Sequence, residues 1–242
     1  MTSGRFPWAA TIAVTAAFAI LCGLGVWQVK RLAWKAHILY DLNRAYGMDP
    51  PPVLNSDDFL KAESEGDLFL NGRISGHFLP QWQFTVAPRT HDGKNGAHVY
   101  APFRLDDGGT ILVNRGWAPE GWKEPVSENH IVLEGLARQP DRINLFVPPN
   151  RPDQGLWYSI RLPEIVRHTG IRNLAPYVFY AGSADGGYPI GMDQNWQPDN
   201  NHLQYAIFWF TMAGLLLLIY GLRFIQPYLK AKKIAQPPPI IH

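Results

Sequence analysis

One cysteine serves the whole 242-residue chain. Cys22 lies inside an apolar run, so no intramolecular disulfide is possible. Cys-x-x-Cys redox pairs, Cys-x-x-Cys-His haem attachment and thiolate metal sites within one chain are excluded with it. Bulky Leu21 precedes Cys22 where a lipoprotein signal usually has a small residue, so Cys22 reads as a small apolar helix residue. Charge is also scarce, at 17% of residues against 13% aromatic, the balance of a membrane-linked protein. Acid is missing from both ends. All 20 acidic residues lie between Asp41 and Asp199, and Arg5, Arg223, Lys230, Lys232 and Lys233 stand unopposed outside residues 28–201. The net charge of +2 is thus no argument for nucleic acid, and no nucleic-acid partner is expected.

Catalytic signatures are absent as well. No Gly-rich phosphate loop with Lys-Ser/Thr occurs, no His-Glu-x-x-His and no Gly-x-Ser-x-Gly elbow. His91 and His98 flank a Gly-rich loop, but they lack a cysteine or carboxylate at ligand spacing, and no metal set is assigned. Asp106-Asp107 reads as turn chemistry rather than an acid/base pair.

Two uncharged runs are what the chain does have. Phe6 to Val29 carries no charge, and Trp8 and Trp27 bound a span long enough to cross a bilayer, at depths where indole rings favour headgroups. A cleavable signal peptide competes for this run. Its length and its smooth continuation into Lys30-Arg31-Leu32-Ala33-Trp34-Lys35 favour a retained helix. Leu203 to Leu222 is a second run of 20 uncharged residues, roughly 30 Å as a helix. Asp199, Asn200 and Asn201 precede it and can accept from the amides of its first turn. His202 enters that turn, with Tyr205, Ala206 and Trp209 following on the same face. Histidine here is either an interfacial polar tip or a ligand, since neutral imidazole binds haem iron.

Between the runs the period changes. Helical spacing persists to Tyr46 and stops at Gly47 and Pro50-Pro51-Pro52. Asp57–Glu65 and Pro163–His168 suit short helices. Alternation predicts strands over Leu68–Ile74, Trp82–Val86, Val99–Leu105, Thr110–Arg115, Ile131–Leu136, Trp157–Ile160 and Tyr177–Tyr180, with Asp107-Gly108-Gly109 as a hairpin turn. The expected fold is an α+β membrane protein: two transmembrane helices flanking a mostly antiparallel sheet or partial barrel outside the cytoplasm. The divisions are a first span over 8–27 and a central domain over 28–201, with a helical extension over 28–46 and a β-rich core over 67–182. A second span over 203–222 and a tail over 223–242 follow. The basic tail marks a cytoplasmic side, a central segment this long translocates regardless of its flanking charges, and both ends fall on one side. No Arg- and Ser-rich leader precedes the first run, which favours a bacterial inner membrane with a periplasmic centre.

Three clusters stand out. Trp27, Gln28, Arg31, Trp34 and Lys35 form an aromatic and cationic stretch as the first helix leaves the membrane, an interfacial anchor or a docking face. Asn114, Arg115, Gly116 and Trp117 end an apolar strand, read as a turn with a packed Trp. Pro189-Ile190-Gly191 leads to the Asn200-Asn201-His202 entry. In this order the clusters resemble the Surfeit locus protein 1 family (Shy in yeasts), assembly factors of haem-copper cytochrome oxidase. Gly25, Trp27, Gln28, Arg31, Trp34 and Lys35 match its Gly-x-Trp-Gln-x-x-Arg-x-x-Trp-Lys, Val113–Pro119 its Val-Asn-Arg-Gly-Trp-x-Pro, and Asn200–Ala206 its Asn-Asn-His-Leu-x-Tyr-Ala. Pro149-Asn150 and Trp157-Tyr158 are similar too. Phe208 departs from the family's threonine and removes a hydroxyl from the second helix.

The resemblance implies a non-enzymatic role in delivering haem a to oxidase subunit I, with haem a synthase as a second partner beside membrane lipid. It carries the iron ligand to His202 and to no other histidine. Arg31 and Lys35 then suit the propionates, and Trp27, Tyr205 and Trp209 the ring. Gln28, Trp34, Asn114, Arg115, Gly116, Trp117, Asn200 and Asn201 remain motif residues for structure or partners. A scaffold that clamps a subunit I intermediate without haem is the alternative reading. A haem-modifying enzyme is a third, for which the sequence offers no general acid, nucleophile or redox partner.

Overall fold

A computed structural model describes residues 6–140, 146–182, 187–193 and 200–234. The chain separates into two compact units, one of residues 1–37 with 198–242 and one of residues 38–197.

The first unit is a pair of helices. Helix α1 runs Trp8–Tyr46 without a break, and its first 30 residues belong here. Helix α4, His202–Tyr220, continues through a π-helical turn, Gly221–Ile225, into α5, Gln226–Ile234. Both helices are long and apolar enough to cross a membrane. They run antiparallel, as three contacts along their length require: Gln28 with His202, Gly25 with Phe210, and the Thr11 hydroxyl with the Tyr220 hydroxyl at 2.5 Å. Small residues make the approach possible. Ala206 and Ala213, seven apart, are buried on one face of α4, and a Cβ on Gly25 would come within 2.7 Å of the Phe210 ring. The outer faces stay bare: Ile12 and Ile219 are more than 60% exposed.

The second unit is built on one six-stranded sheet. Its strands are β1 (Phe69–Phe78), β2 (Phe84–His91), β3 (Lys94–Leu105), β4 (Thr110–Pro119), β5 (Ile131–Arg138) and β6 (Leu174–Ala181). The spatial order is β1-β5-β6-β4-β3-β2, and β1 pairs additionally with β3. The sheet is mixed rather than purely antiparallel, because β4 and β6 run parallel. A parallel pair needs a long crossover, and the segment between β4 and β6 supplies one that contains both β5 and helix α3, Leu162–Thr169.

Alternation along the strands sorts the side chains into two cores. Ala101, Phe103, Ile111, Val113, Tyr177 and Phe179 meet Phe59 and Ala62 of α2, Ser56–Glu65. Val86, Tyr100, Leu112, Trp157 and Val178 meet Ile165 of α3. Apolar residues fill both faces of Ile111–Val113, so that stretch is a continuous apolar run. Leu42 and Ala45, near the end of α1, pack with Leu136 of β5. Helix α2 starts in a capping box, with Asn55 Oδ1 accepting from the Asp57 and Asp58 amides and Asp58 Oδ2 accepting from the Asn55 amide. Asp107-Gly108-Gly109 closes the β3–β4 hairpin as the dipeptide signal predicts; Gly108 takes φ +89°.

Two local expectations fail. Trp157–Ile160 forms no strand and contributes only a bridge from Trp157 to Val86. The strand expected to end at Arg115 runs on to Pro119. Gly116 at φ +121° lets it bulge, and Arg115 is the extra residue between the Asn114–Tyr100 and Gly116–Val99 pairs.

Candidate functional site

Gln28 is a lone amide near the end of the uncharged stretch of α1, and it is 8% exposed. A buried amide needs a partner. The partner is His202, the first residue of α4, whose Nδ1 lies 2.7 Å from Gln28 Oε1. An amide oxygen only accepts, so the imidazole nitrogen donates. That fixes the tautomer. Nδ1 carries the hydrogen and Nε2 keeps its lone pair, the state in which histidine ligates a metal. His202 is partly exposed, and Arg31 and Lys35 are near enough for their charges to be felt at its ring.

The other residues of the first cluster are placed less uniformly. The Arg31 guanidinium lies 3.9 Å from the centroid of the Trp34 ring, a cation–π contact within one helical turn. Trp27 and Tyr205 are exposed, and Trp209 is half-buried with its ring 5.2 Å from Phe208. The face expected to unite His202, Tyr205, Ala206 and Trp209 is therefore divided: Ala206 is buried on the α1 side and Tyr205 is exposed. The expected side-chain cap is not made. Asn201 stands at the N-cap with φ −88° and ψ 8°, outside the extended region from which a side chain reaches the first-turn amides. Asn200 has its Oδ1 buried without a hydrogen bond, and Asp199 lies outside the described residues.

The second cluster lies in the other unit. Asn114 is 2% exposed and bonded at both ends of its amide. Oδ1 accepts from the Gly116 amide at 2.8 Å, and Nδ2 donates to the Tyr100 hydroxyl at 3.1 Å and to His98 Nδ1 at 3.0 Å. Arg115 donates to Gln83 Oε1 at 2.7 Å and lies 5.7 Å from the rings of Phe78 and Trp122; burial lowers its affinity for its proton. Trp117 is buried and donates Nε1 to the Arg89 carbonyl. The Trp117 backbone exchanges two hydrogen bonds with Ile190, at 2.8 and 2.7 Å. Gly116 makes this approach possible, since a Cβ there would overlap the Ile190 carbonyl. The packed Trp of the sequence reading is thus present, on a bulged strand rather than in a turn.

Sequence reasoning placed Gln28 among motif residues and missed its bond to His202. The available signal was an amide inside an uncharged run. Among the described residues, no group of three or more His, Cys, Asp or Glu side chains is arranged to hold a metal ion.

A family model described as the SURF1 family matches residues 15–214. A SURF1-like protein from Monosiga brevicollis is 30% identical over 219 residues, 82% of this chain and 81% of that protein. A SURF1-like protein from Caenorhabditis briggsae is 29% identical over 223 residues, 81% of this chain and 69% of that protein. The Surfeit locus protein 1 of Homo sapiens is 29% identical over 222 residues, 84% of this chain and 74% of that protein. The family match includes Gln28, Asn114–Trp117 and His202.

Proposed function

The chain belongs to the SURF1 family, and from that premise we propose that it is a membrane assembly factor for cytochrome oxidase, holding haem a as cargo for subunit I. The observation that carries this reading is the His202–Gln28 hydrogen bond, which leaves Nε2 as a ligand atom at the end of a helix apolar enough to cross a membrane. His202 would hold the iron through Nε2. Arg31 and Lys35, whose charges reach the His202 ring, suit propionates, and Trp27, Tyr205 and Trp209 supply aromatic surface for the macrocycle. Haem a itself brings the redox iron that the oxidase needs. The chain's own part is to ligate, orient and release it, a carrier's role rather than an enzyme's.

In this reading the segment between the two spans, residues 28–201, lies outside the cytoplasm and both ends lie inside, which is supported by the basic Arg223, Lys230, Lys232 and Lys233 just beyond the second span. The bare apolar side chains of α1 and α4 face lipid in this arrangement, and the membrane is the bacterial inner membrane. Haem a synthase is the donor and oxidase subunit I the recipient. The test is the haem a content of oxidase isolated from cells that carry the wild-type chain, no chain, or His202→Ala. Carrier function predicts that His202→Ala resembles the null. Full haem a in oxidase from the His202→Ala cells contradicts it and leaves a scaffold that works without the cofactor.

A further inference from the structure

The end of the helix pair where Thr11 meets Tyr220 carries charge of one sign. Arg223 lies in the π-helical turn and Lys230, Lys232 and Lys233 lie on α5, and all four are exposed. No acidic residue precedes Asp41 or follows Asp199, so neither helix offers these cations a carboxylate here. The Arg223 guanidinium lies 5.6 Å from the centroid of the Phe224 ring, and among the described residues none of the four cations makes an ion pair. Four like charges gathered on one helix end repel one another unless an anion lies between them.

Helix length sets the depth of each cation. With the uncharged Leu203–Leu222 filling a hydrocarbon core of roughly 30 Å, Arg223 stands at its boundary and Lys230 about 12 Å beyond Leu222. Side chains on a helix lean toward its N-terminus. On a helix that leaves the membrane by its C-terminal end, that lean is back toward the headgroups. Lys230 therefore reaches the phosphate layer, and Lys232 and Lys233 stand within about a Debye length of it, ~8 Å at physiological salt. Helix α5 is also held in place. The Tyr228 ring lies 5.4 Å from that of Phe6, whose ring is 4.8 Å from that of Trp8. Lys230 follows Tyr228 by two residues and so faces away from α1, whereas Lys232, at i+4, shares the Tyr228 side.

Apolar surface adjoins the cations on the membrane side. Leu218, Ile219 and Leu222 are more than half exposed, and the rings of Trp8 and Phe224 are exposed at the boundary where aromatic side chains favour headgroups. The surface is thus divided along the helix axis, bare hydrocarbon below and unpaired positive charge above. A free phosphate uses only the upper part and an acyl chain only the lower. An amphiphile with an anionic head uses both. A zwitterionic head such as phosphocholine brings its own ammonium and gains little from the cations.

We propose that this helix end is a binding site for an anionic glycerophospholipid, independent of His202. Arg223 and Lys230 take the phosphate, Lys232 and Lys233 add to the local positive potential, and an acyl chain lies along Leu222, Ile219 and Leu218. The site rests on the two-span reading and on nothing in the haem a reading.

The experiment titrates the full chain in dodecyl maltoside micelles with dioleoylphosphatidylglycerol, dioleoylphosphatidylcholine and glycerol 3-phosphate separately, and counts bound molecules by native mass spectrometry. Saturable binding of the phosphatidylglycerol, at least about tenfold tighter than that of the phosphatidylcholine, is expected, since each cation near an anionic headgroup contributes about fivefold. A variant combining Arg223→Gln, Lys230→Gln, Lys232→Gln and Lys233→Gln loses the preference. One combining Arg223→Lys, Lys230→Arg, Lys232→Arg and Lys233→Arg keeps it. Equal binding of the two lipids, a preference that survives in the glutamine variant, or displacement of the phosphatidylglycerol by an equal concentration of glycerol 3-phosphate overturns the proposal. An alkaline carbonate wash of membranes tests the spans separately. Release of the chain contradicts the spans and this site together, whereas retention without a lipid preference contradicts the site alone.

Discussion

His202 donates from Nδ1 to Gln28 Oε1 across 2.7 Å and 174 residues of sequence. The bond ties the first turn of α4 to α1 and presents Nε2 for ligation. In the proposed carrier this gives Gln28 a positioning role, the amide orienting the ring.

Replacing Gln28 separates orientation from ligation. Gln28→Leu strands the imidazole N–H and is expected to weaken haem a retention roughly 10–100-fold, the usual effect of losing a ligand's outer partner. Gln28→Glu keeps an acceptor oxygen and is expected to retain the cofactor. Haem titration of the purified variants measures both. Equal affinity in Gln28→Leu and wild type removes the positioning role.

Close approach of the two helices rests on Gly25. Its Cβ position lies 2.7 Å from the Phe210 ring, so Gly25→Leu overpacks the contact by an amount that typically costs about 1–3 kcal/mol. The thermal unfolding midpoint in detergent falls as a result. Phe210→Ala in the same chain opens space for the new side chain and recovers part of the loss. A double variant no more stable than Gly25→Leu alone shows that the helices do not meet at this point.

The central unit carries a pH dependence of definite sign. His98 has its pKa lowered in the folded protein, by burial foremost, from an ordinary 6.5. Between the two values the unfolded chain binds more protons than the folded one, so stability falls as pH drops below about 6.5 and is fully present above it. Urea unfolding followed on both sides of that value reads the slope, and His98→Gln flattens it. A slope unchanged in that variant assigns the acid sensitivity to other groups.

Much of the architecture is legible in the residues, because its causes are local. The uncharged runs with Trp8 and Trp27 at the ends of the first identify the apolar helices, and Asp107-Gly108-Gly109 identifies a hairpin. The parallel pairing of β4 with β6 is not legible: Leu112, Val113 and Val178, Phe179 alternate as they would in an antiparallel pair, and only the long crossover between them distinguishes the two. Gln28 and His202 each announce a polar group in apolar surroundings, but their bond joins residues too far apart for any periodicity to link. Asn201 shows the reverse failure. Its residue type suits a cap, and its backbone angles prevent one.

The central claim is tested most directly by the absorption spectrum of the detergent-purified protein from cells that make haem a, wild type beside His202→Ala. The account predicts haem a bound to the wild type and lost from a variant that still folds. Equal haem a in both contradicts the assignment of His202 as the ligand, and its absence from both contradicts the carrier itself.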